Sequence, residues 1–177
     1  MPLKLMYITN NVEIAVIAEK NGVDWIFIDL EVLGKAERQK GLDSVISKHN
    51  LKDIKKIKPA LQKSKLLVRV NSIYSGSAQE ISTAIYNGAD IIMLPFFKNS
   101  QDVESFIQYV DGRAQICLLL ETAEAVGDLD NILRLPGIDY IHIGINDLHL
   151  SYRKSFMFEL LSDGTVERIC EKLKASG

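Results

Sequence analysis

The chain has little cysteine, little net charge and no long apolar run, and each shortage removes a class of protein. Its only thiols are Cys117, inside an apolar run, and Cys170, inside a helical pattern. Without a Cys-x-x-Cys pair, a disulfide framework and a thiolate metal site are set aside, and both cysteines read as buried thiols. A formal net charge of -2 and a pI of about 5.9 provide no basic surface for nucleic acid or an anionic membrane. No uninterrupted apolar stretch approaches the roughly 20 residues of a membrane-spanning helix. Met1-Pro2-Leu3-Lys4 runs straight into an apolar strand, without the apolar core and small-residue cleavage site of a secretion signal. The expectation is a cytoplasmic protein with small-molecule or protein partners.

What is present is enough apolar material for a real core. The 177 residues are 47% hydrophobic with a mean hydropathy of +0.05, which fits one globular domain over 1–177. Strand and helix patterns alternate, the signature of β/α units around a parallel sheet. Strands are expected at Leu5 to Ile8, Asp24 to Glu31, Lys65 to Asn71, Ala89 to Pro95, Ala114 to Glu121 and from Ile138 onward. Helices are expected from Asn10 or Asn11 to Lys20, Lys52 to Lys63, Ser77 to Tyr86, Ser100 to Val110, Thr122 to Leu133 and Val166 to Lys174, the last capped by Thr165. Val32 to Asn50 and Leu148 to Gly164 lack a period and read as loops, the first a lid or subunit contact.

A short pattern recurs. Asn21-Gly22-Val23-Asp24, Asn87-Gly88-Ala89-Asp90 and Pro136-Gly137-Ile138-Asp139 each precede an apolar run, as a helix-ending glycine followed by a buried strand would. The count is about six β/α units, whereas a complete eight-fold barrel takes about 250 residues. A truncated (β/α)8 TIM barrel and a complete open doubly wound sheet both fit. The first is expected, because Ala175-Ser176-Gly177 reads as the exit from a helix.

In β/α barrels the site is built at the C-terminal ends of the strands. Four strands here end in polar or charged groups: Asp29 with Glu31, Arg69 with Asn71, Glu121, and Asp147. Neighbouring parallel strands lie about 4.8 Å apart, so Glu121 and Asp147 can share one divalent ion. Two carboxylates plus waters suit Mg²⁺ or Mn²⁺ when a chelating substrate completes the octahedron. Arg69, costly to bury alone, either faces the mouth of the site or pairs with an acid, and its fork suits a substrate carboxylate or developing oxyanion. Each acid also has a plainer reading, as a helix cap or a turn residue. His142, within the sixth strand, reads as a satisfied core histidine. His149 is better placed beside Asp147, and His49 carries no signal. The aromatics from Tyr152 to Phe158 line either the site or a subunit contact.

Five ordered motifs resemble the HpcH/HpaI aldolase and citrate lyase family: Trp25-Ile26-Phe27-Ile28-Asp29-Leu30-Glu31, Leu67-Val68-Arg69-Val70-Asn71, Gly88-Ala89-Asp90-Ile91-Ile92-Met93-Leu94-Pro95, Leu119-Leu120-Glu121-Thr122 and Gly144-Ile145-Asn146-Asp147-Leu148. The resemblance implies a phosphoenolpyruvate/pyruvate-type TIM barrel and a Mg²⁺ or Mn²⁺ ion. It also implies carbon–carbon cleavage through an enolate of pyruvate or of an acyl-CoA. It places the metal on Glu121 and Asp147 and Arg69 at the enolate oxygen. Asn71 and Asn146 are then expected at the substrate, and Asp29 or Glu31, or a metal-bound water, is expected to move the proton. Two positions depart from the pattern of the pyruvate aldolases: Val32 stands where a histidine base follows the second-strand acid, and Leu119 stands where a glutamine precedes the metal glutamate. The leading expectation is a class II aldolase acting on a 2-keto acid. The Asp-Leu-Glu and Val-Arg-Val-Asn wording leans toward the citrate lyase branch and makes a CoA-ester lyase the alternative, although no clear CoA-binding signature is present. A non-catalytic barrel fragment or subunit is the third reading. Members close the barrel with two further units and exchange the last helix between subunits, so a homo-oligomer is expected of the full-length form.

Overall fold

Six apolar runs become six parallel strands, hydrogen-bonded in strict chain order. The coordinates are a computed structural model, and they describe residues 3–34 and 47–176. The order is β1 Met6–Ile8, α1 Val12–Lys20, β2 Trp25–Asp29, α2 Leu51–Ile57, β3 Lys65–Arg69, α3 Ser77–Tyr86, β4 Ile91–Leu94, α4 Ser100–Val110, β5 Gln115–Leu120, α5 Ala123–Gly127, α6 Leu129–Ile132, β6 Tyr140–Ile143, α7 Ile145–Ser151, α8 Glu159–Ser162 and α9 Thr165–Ala175. Positions 35–46, most of the loop expected between the second strand and the next helix, lie outside the described residues.

The strands read as nearly continuous apolar runs because both faces of the sheet are covered. On the outer face Ile26, Ile28, Leu66, Val68, Ile92 and Leu118 pack against Ile54, Ile81, Val103 and Phe106 of the helices. On the inner face Trp25, Leu67, Ile91, Met93, Cys117 and Leu119 form a second cluster. Fully burying each such Leu, Ile or Phe contributes about 1.5–3 kcal/mol.

The sheet is curled, and one contact establishes it. Trp25 on β2 and Tyr140 on β6 meet edge-to-face with ring centroids 4.8 Å apart. In a flat sheet four strand spacings would separate their backbones by about 19 Å. Strictly sequential order and an inner face that closes on itself describe a curled half-barrel, and they exclude the doubly wound sheet, whose strand order reverses at a switch point.

The recurring Gly-x-Asp pattern has a structural role beyond ending helices. The backbone N–H of Asp24 donates to the Leu5 carbonyl at 3.0 Å, while the Leu5 N–H donates to Asp24 Oδ2 at 2.9 Å. Asp90 clamps Leu66 in the same two-point way, at 2.9 and 2.7 Å, and Asp139 clamps Ile116 at 3.1 and 2.8 Å. Each aspartate pins the start of its own strand to the start of the preceding one. The glycines at 22, 88 and 137 supply the positive φ that turns the chain from helix to strand.

Several expected boundaries shift for identifiable reasons. The helix expected from Lys52 to Lys63 ends at Ile57 and tightens into a 3-10 turn over Lys58–Ala60, since Pro59 has no N–H to give an α-helical bond. Thr122 to Leu133 divides into α5 and α6 at Asp128, and Thr122 caps the first through its side chain. Gly164, with φ +75°, precedes the last helix, and Thr165 is its first residue rather than its cap. Leu148 to Gly164 is not all loop, because it holds the end of α7 and all of α8.

Candidate active site

Asp29 and Arg69 stand level on adjacent strands, β2 and β3. Period-two alternation puts Trp25, Phe27 and Asp29 on the inner face, so a run that begins in a core aromatic ends in an acid at the rim. Arg69 grips that acid with both sides of its fork: Nε donates to Asp29 Oδ1 and Nη2 to Asp29 Oδ2, each at 2.9 Å. Its Nη2 also lies 3.4 Å from Glu31 Oε2, and its guanidinium sits 5.5 Å from the centre of the Phe27 ring. Burial alone would lower the Arg69 pKa, but the bond to Asp29 and the charges of Asp29, Glu31 and Glu121 raise it, so the guanidinium stays charged. The Asp29 N–H donates to His49 Nδ1 at 3.1 Å, which brings His49, uninformative in the sequence, to the edge of the site.

Glu121 follows β5 and is only 4% exposed. Its Oε1 accepts the Phe96 N–H at 2.9 Å, and Phe96 holds a left-handed φ of +50° at the end of β4 to present that group. Such a conformation costs about 1–3 kcal/mol outside glycine. On its other side Glu121 lies against Gly144, where a Cβ would stand 2.9 Å from Oε2. Asp147, 9% exposed, belongs to the first turn of α7, so β6 delivers it through a helix start rather than directly from the strand end. Asn146 Nδ2 donates to Asp147 Oδ1 at 3.3 Å.

The electrostatics of the pair bear on a metal. Burial, then the charges of Asp147 and Glu31, push the Glu121 pKa up to about 8, against the opposing pull of Arg69 and the Phe96 N–H. A buried carboxylate held beside other carboxylates is the donor chemistry that a hard divalent ion relieves. Among the described residues no three His, Cys, Asp or Glu side chains converge on one point. The charge of Asp147 reaches Glu121, and two carboxylates of this kind would leave most of an octahedron to water and substrate.

The other expected residues take distinct places. Asn71 is buried and committed: its Oδ1 accepts both the Val32 and Leu33 N–H groups at 2.9 Å, and its Nδ2 donates to Glu80 Oε1 at 2.7 Å. Val32 is 60% exposed and Leu119 lies in the inner cluster. His142 is not a buried core histidine, because β6 is an edge strand and leaves it exposed. His149 is buried, with Nδ1 lacking a partner among the described residues. Phe156 and Phe158 stack edge-to-face at 5.2 Å and are 56% and 49% exposed. Sequence reasoning missed Phe96 and Gly144, whose contributions are a backbone N–H and a missing side chain. The sole available signal was the glycine two residues before Asn146.

Among solved structures the chain is similar to the citrate synthase SbnG, at 18% identity and TM-score 0.75, over 98% of this chain and 74% of that one. It is similar to an HpcH/HpaI aldolase/citrate lyase family protein from Burkholderia cenocepacia, at 16% identity and TM-score 0.72, over 98% and 76% of the two chains. Macrophomate synthase matches at 16% identity and TM-score 0.62, over 86% of this chain and 58% of that one. A search of curated proteins by sequence finds no match. No helix among the described residues is long and apolar enough to cross a membrane. The family model for HpcH/HpaI aldolase/citrate lyase matches residues 4–160, and this chain belongs to that family.

Proposed function

We propose that the chain is a divalent-metal-dependent carbon–carbon lyase of the class II aldolase type, acting on a 2-keto acid through a pyruvate-like enolate. The observation that carries this reading is the buried carboxylate pair Glu121 and Asp147 held within electrostatic reach of the Arg69 fork at the C-terminal rim of the strands. A Mg²⁺ or Mn²⁺ ion held by that pair would supply Lewis-acid polarisation of the keto oxygen. Arg69 presents a fixed positive charge to the substrate carboxylate or to the oxygen that becomes negative, in a site where burial strengthens the interaction. Asp29 and Glu31 hold the guanidinium in place, since both Asp29 oxygens are engaged with it. Asn146 orients Asp147, and Asn71 fixes the backbone that follows Glu31.

The test is Mn²⁺ titration by calorimetry on the chain and on Glu121→Ala and Asp147→Ala, followed by exchange of the pyruvate methyl protons in D₂O. Saturable binding that both substitutions abolish, with metal-dependent exchange, supports the reading. Equal binding by all three proteins removes the site assignment. Binding without exchange on pyruvate, but with turnover of an acyl-CoA, moves the activity to the CoA-ester lyases.

A further inference from the structure

The inner face of β6 continues toward the site. Tyr140 packs against Trp25 and the inner cluster, and alternate residues share a face. His142 is therefore the next side chain on that surface, and Gly144, after it, is where a Cβ would meet the Glu121 carboxylate. His142 thus sits one step below the Gly144 that abuts Glu121, on the same inner face, and within reach of the Arg69 charge. It is exposed to solvent, yet desolvation by the surrounding inner face first and then the positive charge of Arg69 lower its pKa from 6.5.

The other titratable groups on this face are committed. Asp29 and Glu31 hold Arg69, and Glu121 and Asp147 form the proposed metal pair. The Tyr140 hydroxyl accepts from Gln115 Nε2 at 3.3 Å. Cys117 is buried, and desolvation lifts its thiol to about 12.

We propose that His142 is the residue that carries the substrate proton. Its neutral imidazole removes a proton from the carbon beside the keto group. The C–H electron pair becomes the new C=C bond, and the carbonyl π pair moves to the keto oxygen, which faces Arg69 as an oxyanion. Return of the proton from the imidazolium to that carbon restores the keto acid, so the cycle is balanced without another reactant. Arg69 couples to both steps. With no anion bound, its charge opposes protonation of His142, and an anion bound on Arg69 cancels that opposition at the moment the proton arrives. The inference rests on the lyase reading above.

Two measurements on the full chain test it. The first follows exchange of the pyruvate methyl protons in D₂O with Mg²⁺, comparing the chain with His142→Gln. The expected result is a loss of about a hundredfold or more, with Mn²⁺ affinity unchanged. The second follows the His142 ring by ¹⁵N NMR across pH, with Mg²⁺, with and without oxalate, the signal being assigned by its absence in His142→Gln. Oxalate is expected to raise the His142 pKa. Exchange at the parent rate in His142→Gln overturns the role of His142 and leaves the lyase reading standing. A titration that oxalate does not move overturns it as well, without relying on a variant. No exchange above background in the parent chain overturns the lyase reading and this inference together.

Discussion

Glu121 rests against Gly144 so closely that a single methyl at residue 144 would stand 2.9 Å from its Oε2 and 3.0 Å from its Cβ. Backbone from β6 thus forms one wall of the Glu121 site, and the Phe96 N–H forms another. Gly144→Ala should push Glu121 out of place while leaving the sheet intact. Overpacking of this kind costs about 1–3 kcal/mol in stability. Displacing a support of a metal ligand lowers affinity by about 10- to 100-fold. Parallel Mn²⁺ calorimetry and urea unfolding check both numbers, and unchanged affinity in a folded Gly144→Ala protein contradicts the arrangement.

The raised pKa of Glu121 gives the proposed metal binding a pH dependence of definite sign. Without metal the folded value of about 8 lies above the ordinary 4.5. The fold therefore favours the protonated acid. That contribution to stability is fully present below about pH 4.5 and is lost as pH rises through about 8. A metal ion needs the carboxylate and must displace the proton, so affinity should rise by about tenfold per pH unit up to about pH 8 and then level off. Calorimetry near pH 7 in two buffers with different ionisation heats should show close to one proton released per ion. Glu121→Gln should remove both the proton release and the extra lability of the metal-free chain at pH 9.

Arg69 and Asp29 are each deeply placed, with side chains 16% and 2% exposed. Removing either alone deprives the other buried charge of its two-point partner, and breaking a buried pair in this way costs about 3–5 kcal/mol. Asp29→Asn and Arg69→Met should each lower the urea midpoint strongly. The double variant should recover part of the loss relative to the sum of the two single losses, because the Asp29 charge is gone together with the Arg69 charge that faced it. Glu31 loses its Arg69 contact in both Arg69 variants. Additive losses in the double-mutant cycle would show that the two residues do not act as a unit.

The strands and most helices were legible because their cause is local: apolar runs, capping asparagines and the positive-φ glycines all write themselves into short stretches. The four carboxylates and Arg69 were legible as strand-end charges, a pattern that survives without knowing what lies opposite. Their pairing was not. That Asp29 is gripped by Arg69, or that Asn71 spends its oxygen on Val32 and Leu33, depends on register between strands some 40 residues apart in the chain. Asp147 was placed at a strand end because the apolar run of β6 leads directly into Gly-Ile-Asn-Asp, whereas Ile145 to Asp147 opens a helix with Gly144 as its cap. His142 was misjudged for a related reason. An apolar run marks a buried strand, but only topology reveals that this strand is an edge.

The aspartate clamps at the other end of the strands test the architecture independently of any chemistry. Asp90 takes the Leu66 N–H at 2.7 Å and the Lys58 ammonium at 2.6 Å, while its own N–H bonds the Leu66 carbonyl. Asp90→Ala strips the acceptor from a buried backbone donor, which costs about 1–3 kcal/mol. Asp90→Asn keeps an oxygen at the same place and loses mainly the ion pair with Lys58, so it should cost less. Amide hydrogen exchange should localise the damage, with Leu66 losing protection first in Asp90→Ala and Ile116 in Asp139→Ala. Asp24→Ala should loosen only the open edge at β1. Uniform loss of protection across the sheet in all three variants would mean that the clamps do not set strand register one pair at a time.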